Sequence, residues 1–245
     1  MENAELVGLS RQMTLRRQMD IVANNIANLN TTGFKGQSLQ FEEYIMPVAE
    51  ASDFSFRDRT VSYVQDINSH FDLTEGAMSL TDNPLDVAVK GQGWFVIDTE
   101  NGEQYTRSGS FKIDQSGKLT TSDGQTVLGE GGPIVFSDTD VNISIAADGT
   151  ISTQNGNRGR LRVVEFGNET ALRHVAGNRF TGDGARPAAA AEVIQGALEN
   201  SNVSGVEEMT RMIAVTRSYS AVASMMKENQ DLREAAIRQL GTTNN

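Results

Sequence analysis

Apolar positions near the start of the chain recur at helical spacing. Leu15, Met19, Val22, Ile26 and Leu29 step by four and three residues, the stripe of a helix that packs along one long partner. The pattern predicts a helix from about Asn3 to Asn28. Leu6, Leu9 and Met13 form a second apolar group, which a turn of about 100° per residue places on roughly the opposite side. A helix with apolar groups on two sides asks for more than one neighbour. Asn28, Asn30, Thr31, Thr32 and Gly33 then end it, with Gly33 free to take a positive φ.

The far end repeats the theme from about Val203 to Leu240. Met209, Met212, Thr216, Tyr219, Ala223, Met226, Gln230, Arg233, Ile237 and Leu240 continue the steps of three and four, and Val206, Ile213, Val215, Val222 and Leu232 widen the stripe. Ser204 is placed as N-cap, with Glu207 as its capping-box partner. Between the two ends the period changes to that of strands. Leu85, Val87 and Val89 alternate with polar or small residues, and Trp94–Ile97, Ile134–Phe136 and Leu161–Phe166 are short apolar runs. Asn101-Gly102, Asp123-Gly124 and Asp148-Gly149 separate them, dipeptides that favour tight hairpins.

Neither terminal stripe is wide enough to fold alone, and each is the simplest partner for the other. The expected fold is therefore α+β: a discontinuous helical domain of coiled-coil type, with an inserted antiparallel β-rich domain. Its expected parts are an N-terminal helical segment 1–35, an extended connector 36–72, a β-rich domain 73–185, a link 186–202 and a C-terminal helical segment 203–245.

Composition narrows the function. The net charge is −11 and cysteine is absent. An acidic chain repels phosphates, which argues against nucleic acid as a partner. Without cysteine there are no disulfides, thiol nucleophiles or cysteine-ligated metals. No apolar run approaches the ~20 residues of a membrane span, so membrane insertion is not expected. The start of the chain lacks the apolar core of a cleaved signal peptide.

Candidate chemistry is thin. The phosphate-loop, zinc-protease and hydrolase-elbow patterns are missing. Gly91-Gln92-Gly93 and Gly129/Gly131/Gly132 read as turns rather than dinucleotide loops. Asp138-x-Asp140-x-Asn142 lacks the glycine and glutamate of a calcium loop and reads as a solvated turn entering a strand. The carboxylate pairs Asp72/Glu75, Asp82/Asp86 and Asp138/Asp140 could in principle serve glycoside hydrolysis, but 32 acids make such pairs common by chance. His70 and His174 have no partner histidine nearby, and Trp94 fits a β-core better than an interface. No catalytic residue, metal ligand or cofactor is expected, and the chain is not expected to be an enzyme.

Four segments resemble one family. Val22-Ala23-Asn24-Asn25-Ile26-Ala27-Asn28-Leu29-Asn30-Thr31-Thr32-Gly33-Phe34-Lys35 is similar to the N-terminal signature of the bacterial flagellar rod and hook proteins. Asn83-Pro84-Leu85-Asp86-Val87-Ala88-Val89-Lys90-Gly91-Gln92-Gly93-Trp94-Phe95 is similar to their second motif, and Tyr105–Phe111 with 117–119 and 124–129 to the next. Gln195–Val203, then Glu208-Met209 and Arg217-Ser218-Tyr219, is similar to the C-terminal one.

The resemblance implies a structural subunit of the basal-body rod, most like the proximal rod type, with the distal rod type as the alternative. A secreted fibre or adhesin binding module is the competing reading from outside the family. The resemblance further implies terminal helices forming the inner layer of an axial tube that transmits torque and encloses the export channel. Its implied partners are further copies of the chain, other rod proteins and the flagellar type III export apparatus. The implied location is the rod crossing the periplasm, reached without a cleaved signal. Assembly would rest on Leu15, Met19, Val22, Ile26, Leu29, Met209, Met212, Tyr219 and Met226. Asn24, Asn25, Asn28 and Asn30 would act as helix-end and inter-subunit hydrogen bonders, and Gly33 and Gly91 as turn positions. Phe34, Asn83, Pro84 and Leu85 complete the family-motif positions.

Overall fold

The structure, a computed structural model, describes residues 2–47 and 60–242. The chain divides into two compact units. One comprises Met1–Ile26, Gln37–His70 and Ser204–Asn245, and the other Ala27–Gly36 and Phe71–Val203.

The first unit holds two helices, α1 (Glu2–Ala27) and α2 (Gly205–Thr242). Two contacts join them among the described residues. Met226 lies against Gly8, where an added Cβ would come within 3.1 Å of its Cγ and Sδ, and the Thr216 hydroxyl is 3.8 Å from Met19 Sδ. Numbers rise along α1 as they fall along α2, so the helices run antiparallel. Buried or half-buried positions of α1 include Gly8, Gln12, Leu15, Met19, Val22 and Ile26, in steps of four and three. On α2 they include Glu208, Met212, Val215, Tyr219, Val222 and Met226. This stripe shares Met212, Tyr219 and Met226 with the sequence reading. It also takes in Val215 and Val222, which widen the stripe in the sequence, but it is centred one residue earlier, through Glu208, and leaves Met209 and Thr216 exposed. The reason is a glutamate on the inner face: Glu208 is buried with its carboxylate 2.5 Å from Arg211. The Ser204 carbonyl accepts the Glu208 N–H at 3.0 Å and so starts α2.

The stretch read as an extended connector contains two long strands, β1 (Gln37–Pro47) and β2 (Thr60–Phe71), which pair as a two-stranded ribbon.

The second unit is built on an antiparallel sheet of ten strands, with smaller sheets beside it. Its central strand, Trp94–Thr99, pairs with Gly102–Thr106 on one side and Thr126–Gly129 on the other. Trp94, Phe95, Val96 and Ile97 are all buried because both faces of the strand are covered. Phe95 and Ile97 join a core with Val87, Phe111, Leu119, Ile151 and Leu161. Trp94 and Val96 join a second core with Tyr105, Phe166, Leu172 and Phe180. Trp94 is fully buried, as a core residue. The Asn-Gly and Asp-Gly turns put Gly102, Gly124 and Gly149 at positive φ, between 82° and 97°.

Candidate functional site

The polar segments that lead into and out of the second unit lie side by side. Gly33 N–H donates to the Glu199 carbonyl at 2.7 Å, and Asn202 N–H to the Phe34 carbonyl at 3.4 Å. Gly36 N–H donates to Asn202 Oδ1 at 2.8 Å. A third segment, 72–76, closes over them. Asp72 N–H donates to the Gly36 carbonyl at 2.8 Å, Asn202 Nδ2 to the Asp72 carbonyl at 2.7 Å, and Gly76 N–H to Glu199 Oε1 at 3.0 Å. A buried backbone group in this crossing needs such a partner, because burial takes away the water it would otherwise bond.

At the centre sits Lys35. Its ammonium donates to Glu199 Oε1 at 2.6 Å and to the Thr74 carbonyl at 2.5 Å. Both side chains of the pair are fully buried. Arg107 Nη1 stands 3.5 Å from Glu199 Oε2. Its guanidinium also donates to the carbonyls of Val89 at 3.3 Å and Gly91 at 2.9 Å, and lies 5.2 Å from the centre of the Trp94 ring. Burial pushes the Lys35 ammonium below its ordinary value, the Glu199 carboxylate opposes that, and the Arg107 charge adds to the lowering. Buried charges of this kind tie segments in one register, since removing either partner strands the other in a dry interior.

Gly33 supplies the turn that makes the crossing possible. It ends the α1 exit with φ at 65°, and a Cβ there would lie 2.4 Å from the Ser108 nitrogen. Around it, Asn28 Oδ1 accepts the Thr31 hydroxyl at 3.1 Å, and Asn178 Nδ2 donates to the Thr32 carbonyl at 2.7 Å. Phe34 is buried and Leu29 half-buried.

The other family-motif positions take varied places. Asn25 is buried and mimics a strand partner: its Nδ2 donates to the Gln37 carbonyl at 2.9 Å and its Oδ1 accepts Gln37 N–H at 3.0 Å. Asn24 and Asn30 are exposed. Asn83, Pro84 and Leu85 form the turn before the strand Val87–Lys90. There Asn83 Oδ1 accepts Leu85 N–H at 3.3 Å, and the Pro84 carbonyl accepts Gln195 Nε2 at 2.9 Å. Gly91 follows that strand with φ at 88°. Its N–H meets the Glu75 carboxylate and its carbonyl meets Arg107. Of the assembly positions, Val22 is buried, Leu15, Met19, Ile26, Met212, Tyr219 and Met226 are half-buried, and Met209 is exposed.

The carboxylate pairs serve local structure. Asp72 Oδ1 caps Thr74 N–H at 3.0 Å, and Asp86 accepts the Thr81 hydroxyl at 2.8 Å. Asp140 gathers Arg158 at 2.5 Å, Ser137 N–H at 2.8 Å, Asn155 at 2.9 Å and Thr153 at 3.1 Å. It fastens a loop rather than standing in solvent. His174 stacks on Phe71 with ring centres 5.1 Å apart, at an exposed position. Among the described residues no group of three or more acids and histidines gathers to hold a metal, and no helix is long and apolar enough to cross a membrane.

The residues at the centre, Lys35, Glu199, Arg107, Thr74 and Asn202, were not singled out from sequence. Four of them, Lys35, Arg107, Glu199 and Asn202, sit inside the motif strings; Lys35 stands between Phe34 and Gly36, and Glu199 follows Leu198. That is the available signal, a charge where burial is expected.

A β-unit whose buried charges close its own entry and exit, joined to helices that bury one stripe and expose another, has the build of a structural subunit. The chain belongs to the family of flagellar basal-body rod proteins. Residues 6–35 match the family described as flagella basal body rod protein, residues 88–153 the flagellar hook protein FlgE/F/G D1 domain, and residues 194–239 the flagellar basal body rod FlgEFG protein C-terminal. The chain is 38% identical to the flagellar basal-body rod protein FlgF of Caulobacter vibrioides, over 100% of both chains. It is 33% identical to the FlgF of Rhizobium meliloti, over 98% of this chain and 99% of that one. Against the rod protein FlgG of Bacillus subtilis the identity is 28%, over 94% and 96%.

Proposed function

We propose that the chain is a structural subunit of the flagellar basal-body rod and that it polymerises through its terminal helices. On this reading α1 and α2 pair as a coiled coil and pack with those of neighbouring subunits into the axial tube. The tube transmits torque, crosses the periplasm and encloses the channel used by the type III export apparatus, which also delivers this subunit. Its partners are further copies of itself and other rod proteins, and the proximal rod is its place. No catalysis and no cofactor enter this reading. The observation that carries it is the build of the helices. Each buries a stripe of four-and-three spacing while Leu6, Leu9, Met13, Val206, Met209 and Ile213 stay exposed, which is more apolar surface than a finished monomer needs.

Val22 is 1% exposed on the buried stripe of α1. In cells carrying Val22→Asp in place of the native chain, the variant is expected to be missing from purified basal bodies and motility to be lost. The purified variant should keep the emission of the single tryptophan, Trp94, because that residue lies in the second unit. Normal incorporation of Val22→Asp would defeat the helix-based account.

A further inference from the structure

Two hairpins of the second unit close on the same pattern of residues. Thr99-Glu100-Asn101-Gly102 joins Trp94–Thr99 to Gly102–Thr106, and Thr153-Gln154-Asn155-Gly156 joins Thr150–Thr153 to Gly156–Arg160. They hold the two Asn-Gly dipeptides of the chain. Their backbones match. Thr99 pairs with Gly102, and Thr153 with Gly156. The Thr99 hydroxyl donates to the Gly102 carbonyl at 2.8 Å and accepts Asn101 N–H at 3.3 Å. The Thr153 hydroxyl stands 3.2 Å from the Gly156 carbonyl and accepts Asn155 N–H at 3.2 Å. The φ angle is 97° at Gly102 and 116° at Gly156. Both asparagines are exposed, and an added Cβ would meet nothing within 4 Å at either glycine.

The hairpins differ at the asparagine side chain. Asn155 Nδ2 lies 2.9 Å from Asp140 Oδ1, 3.1 Å from the Thr139 carbonyl and 3.3 Å from Thr139 Oγ1. Among the described residues the Asn101 side chain has no such partner. The difference bears on one reaction. An asparagine carboxamide is open to attack by the backbone nitrogen of the next residue, and a glycine there has no Cβ to block the approach. To meet that nitrogen, the side chain must swing over its own main chain. Asn101 is free to do so. Asn155 must first give up its hydrogen bonds, which slows it by about tenfold. We propose that Asn101 is a site of spontaneous deamidation, and that the Asp140 loop protects Asn155 from the same reaction.

The Gly102 nitrogen bonds to Asn101 Cγ, its proton leaves with the amide nitrogen as ammonia, and a succinimide ring forms. Water then opens the ring at either carbonyl. The product is aspartate or, with Cγ drawn into the main chain, isoaspartate. Water is the only co-reactant. Either product adds a negative charge beside Glu100, at the tip of the hairpin that carries the central strand Trp94–Thr99. Isoaspartate also adds a main-chain carbon to the short loop between Thr99 and Gly102, which works against their pairing. Because ammonia is lost to solvent, the acid fraction at position 101 rises with the age of the folded chain. The reaction belongs to the chain itself, whatever assembly it enters.

The test is peptide mapping by mass spectrometry on the purified full-length chain, held for days in mildly alkaline buffer. The expected result is aspartate and isoaspartate at position 101, formed about tenfold faster than at position 155. In denaturing urea the two Asn-Gly dipeptides should convert at matching rates, because the fold alone separates them. Asp140→Ala removes one partner of the Asn155 amide and should bring position 155 towards the rate at 101, with Trp94 emission checking that the unit stays folded. Asn101→Gln should abolish the early product, since glutamine would have to close a larger ring. Equal rates in the folded chain, faster conversion at Asn155, an unchanged Asn101, or a gap that persists in urea would each overturn the assignment. The urea comparison uses no variant, so it decides the matter even where Asp140→Ala does not fold.

Discussion

Lys35 and Glu199 lie 164 positions apart in the chain and 2.6 Å apart in space. Replacing Lys35 by methionine keeps much of the volume and removes the charge, leaving Glu199 buried with Gly76 N–H and a longer approach from Arg107. Breaking a buried pair this way costs about 3 kcal/mol. Urea unfolding followed by Trp94 emission should therefore show a clear drop in midpoint for Lys35→Met. The Lys35→Met, Glu199→Leu double variant should recover part of it, because no lone charge remains. At this scale the sequence was legible where one residue type has one use. Gly33 reads as a positive-φ helix terminator, and φ there is 65°. It was not legible where a charge is buried, because hydropathy places Lys, Arg and Glu on surfaces and their partners come from distant segments. Asp140 shows the same blindness. It reads as solvent-facing in a run of acids, yet it holds Arg158, Asn155 and Thr153.

Among the elements, the loops of the β-unit have their own pH dependence. Backbone and hydroxyl donors hold the Asp114 and Asp148 carboxyls below the usual range, and the Arg158 guanidinium does so for Asp140. As pH falls, the unfolded chain takes up these protons first, near the ordinary carboxyl value of about 4. Protons then favour unfolding. The stabilisation is complete above about pH 5 and is lost progressively below it. The urea midpoint, again from Trp94, should stay flat from neutral pH to about 5 and fall steeply towards pH 3. Asp140→Asn should start lower at neutral pH and fall less. A steady midpoint down to pH 3 would remove these carboxylates from the account. Elements were legible where period and turn chemistry agree, as in α1 and in the hairpins at Gly102, Gly124 and Gly149. The phase of α2 was harder to read. Met209 made a good stripe member by type, while the inner place belongs to Glu208, which spends its charge on Arg211. The ribbon of β1 and β2 was missed because its residues show no clear alternation.

For the whole molecule, charge and burial divide the same way. Residues 36–195 hold 12 basic and 23 acidic groups, while the helical ends are near neutral. Among the described residues the helices bury few side chains: Val22 and Asn25 on α1, and Glu208, Val215 and Val222 on α2, are the large ones below a tenth exposure. Helices with so little tertiary packing open easily. Hydrogen exchange on the monomer should thus be fast across Leu15–Ile26 and Met209–Met226 and slow across Trp94–Ile97. Equal protection of both would contradict the idea that assembly completes the helices. The two-helix, one-insert plan was legible because helical spacing at both ends gives way in the middle to strand spacing and Asn-Gly and Asp-Gly turns. The crossing that closes the insert was not, because it exists only once residues near 35, 75, 107 and 199 meet. That crossing also has a mechanical meaning. A pull applied through residues 36 and 203 would first strain the Gly33–Glu199 and Phe34–Asn202 bonds and the Lys35–Glu199 pair, all beside the points of attachment. Tension would pass from one strand to the other through this clasp and leave the sheet behind it slack. The loops of the β-unit would then carry no load, and could vary in length without weakening the clasp.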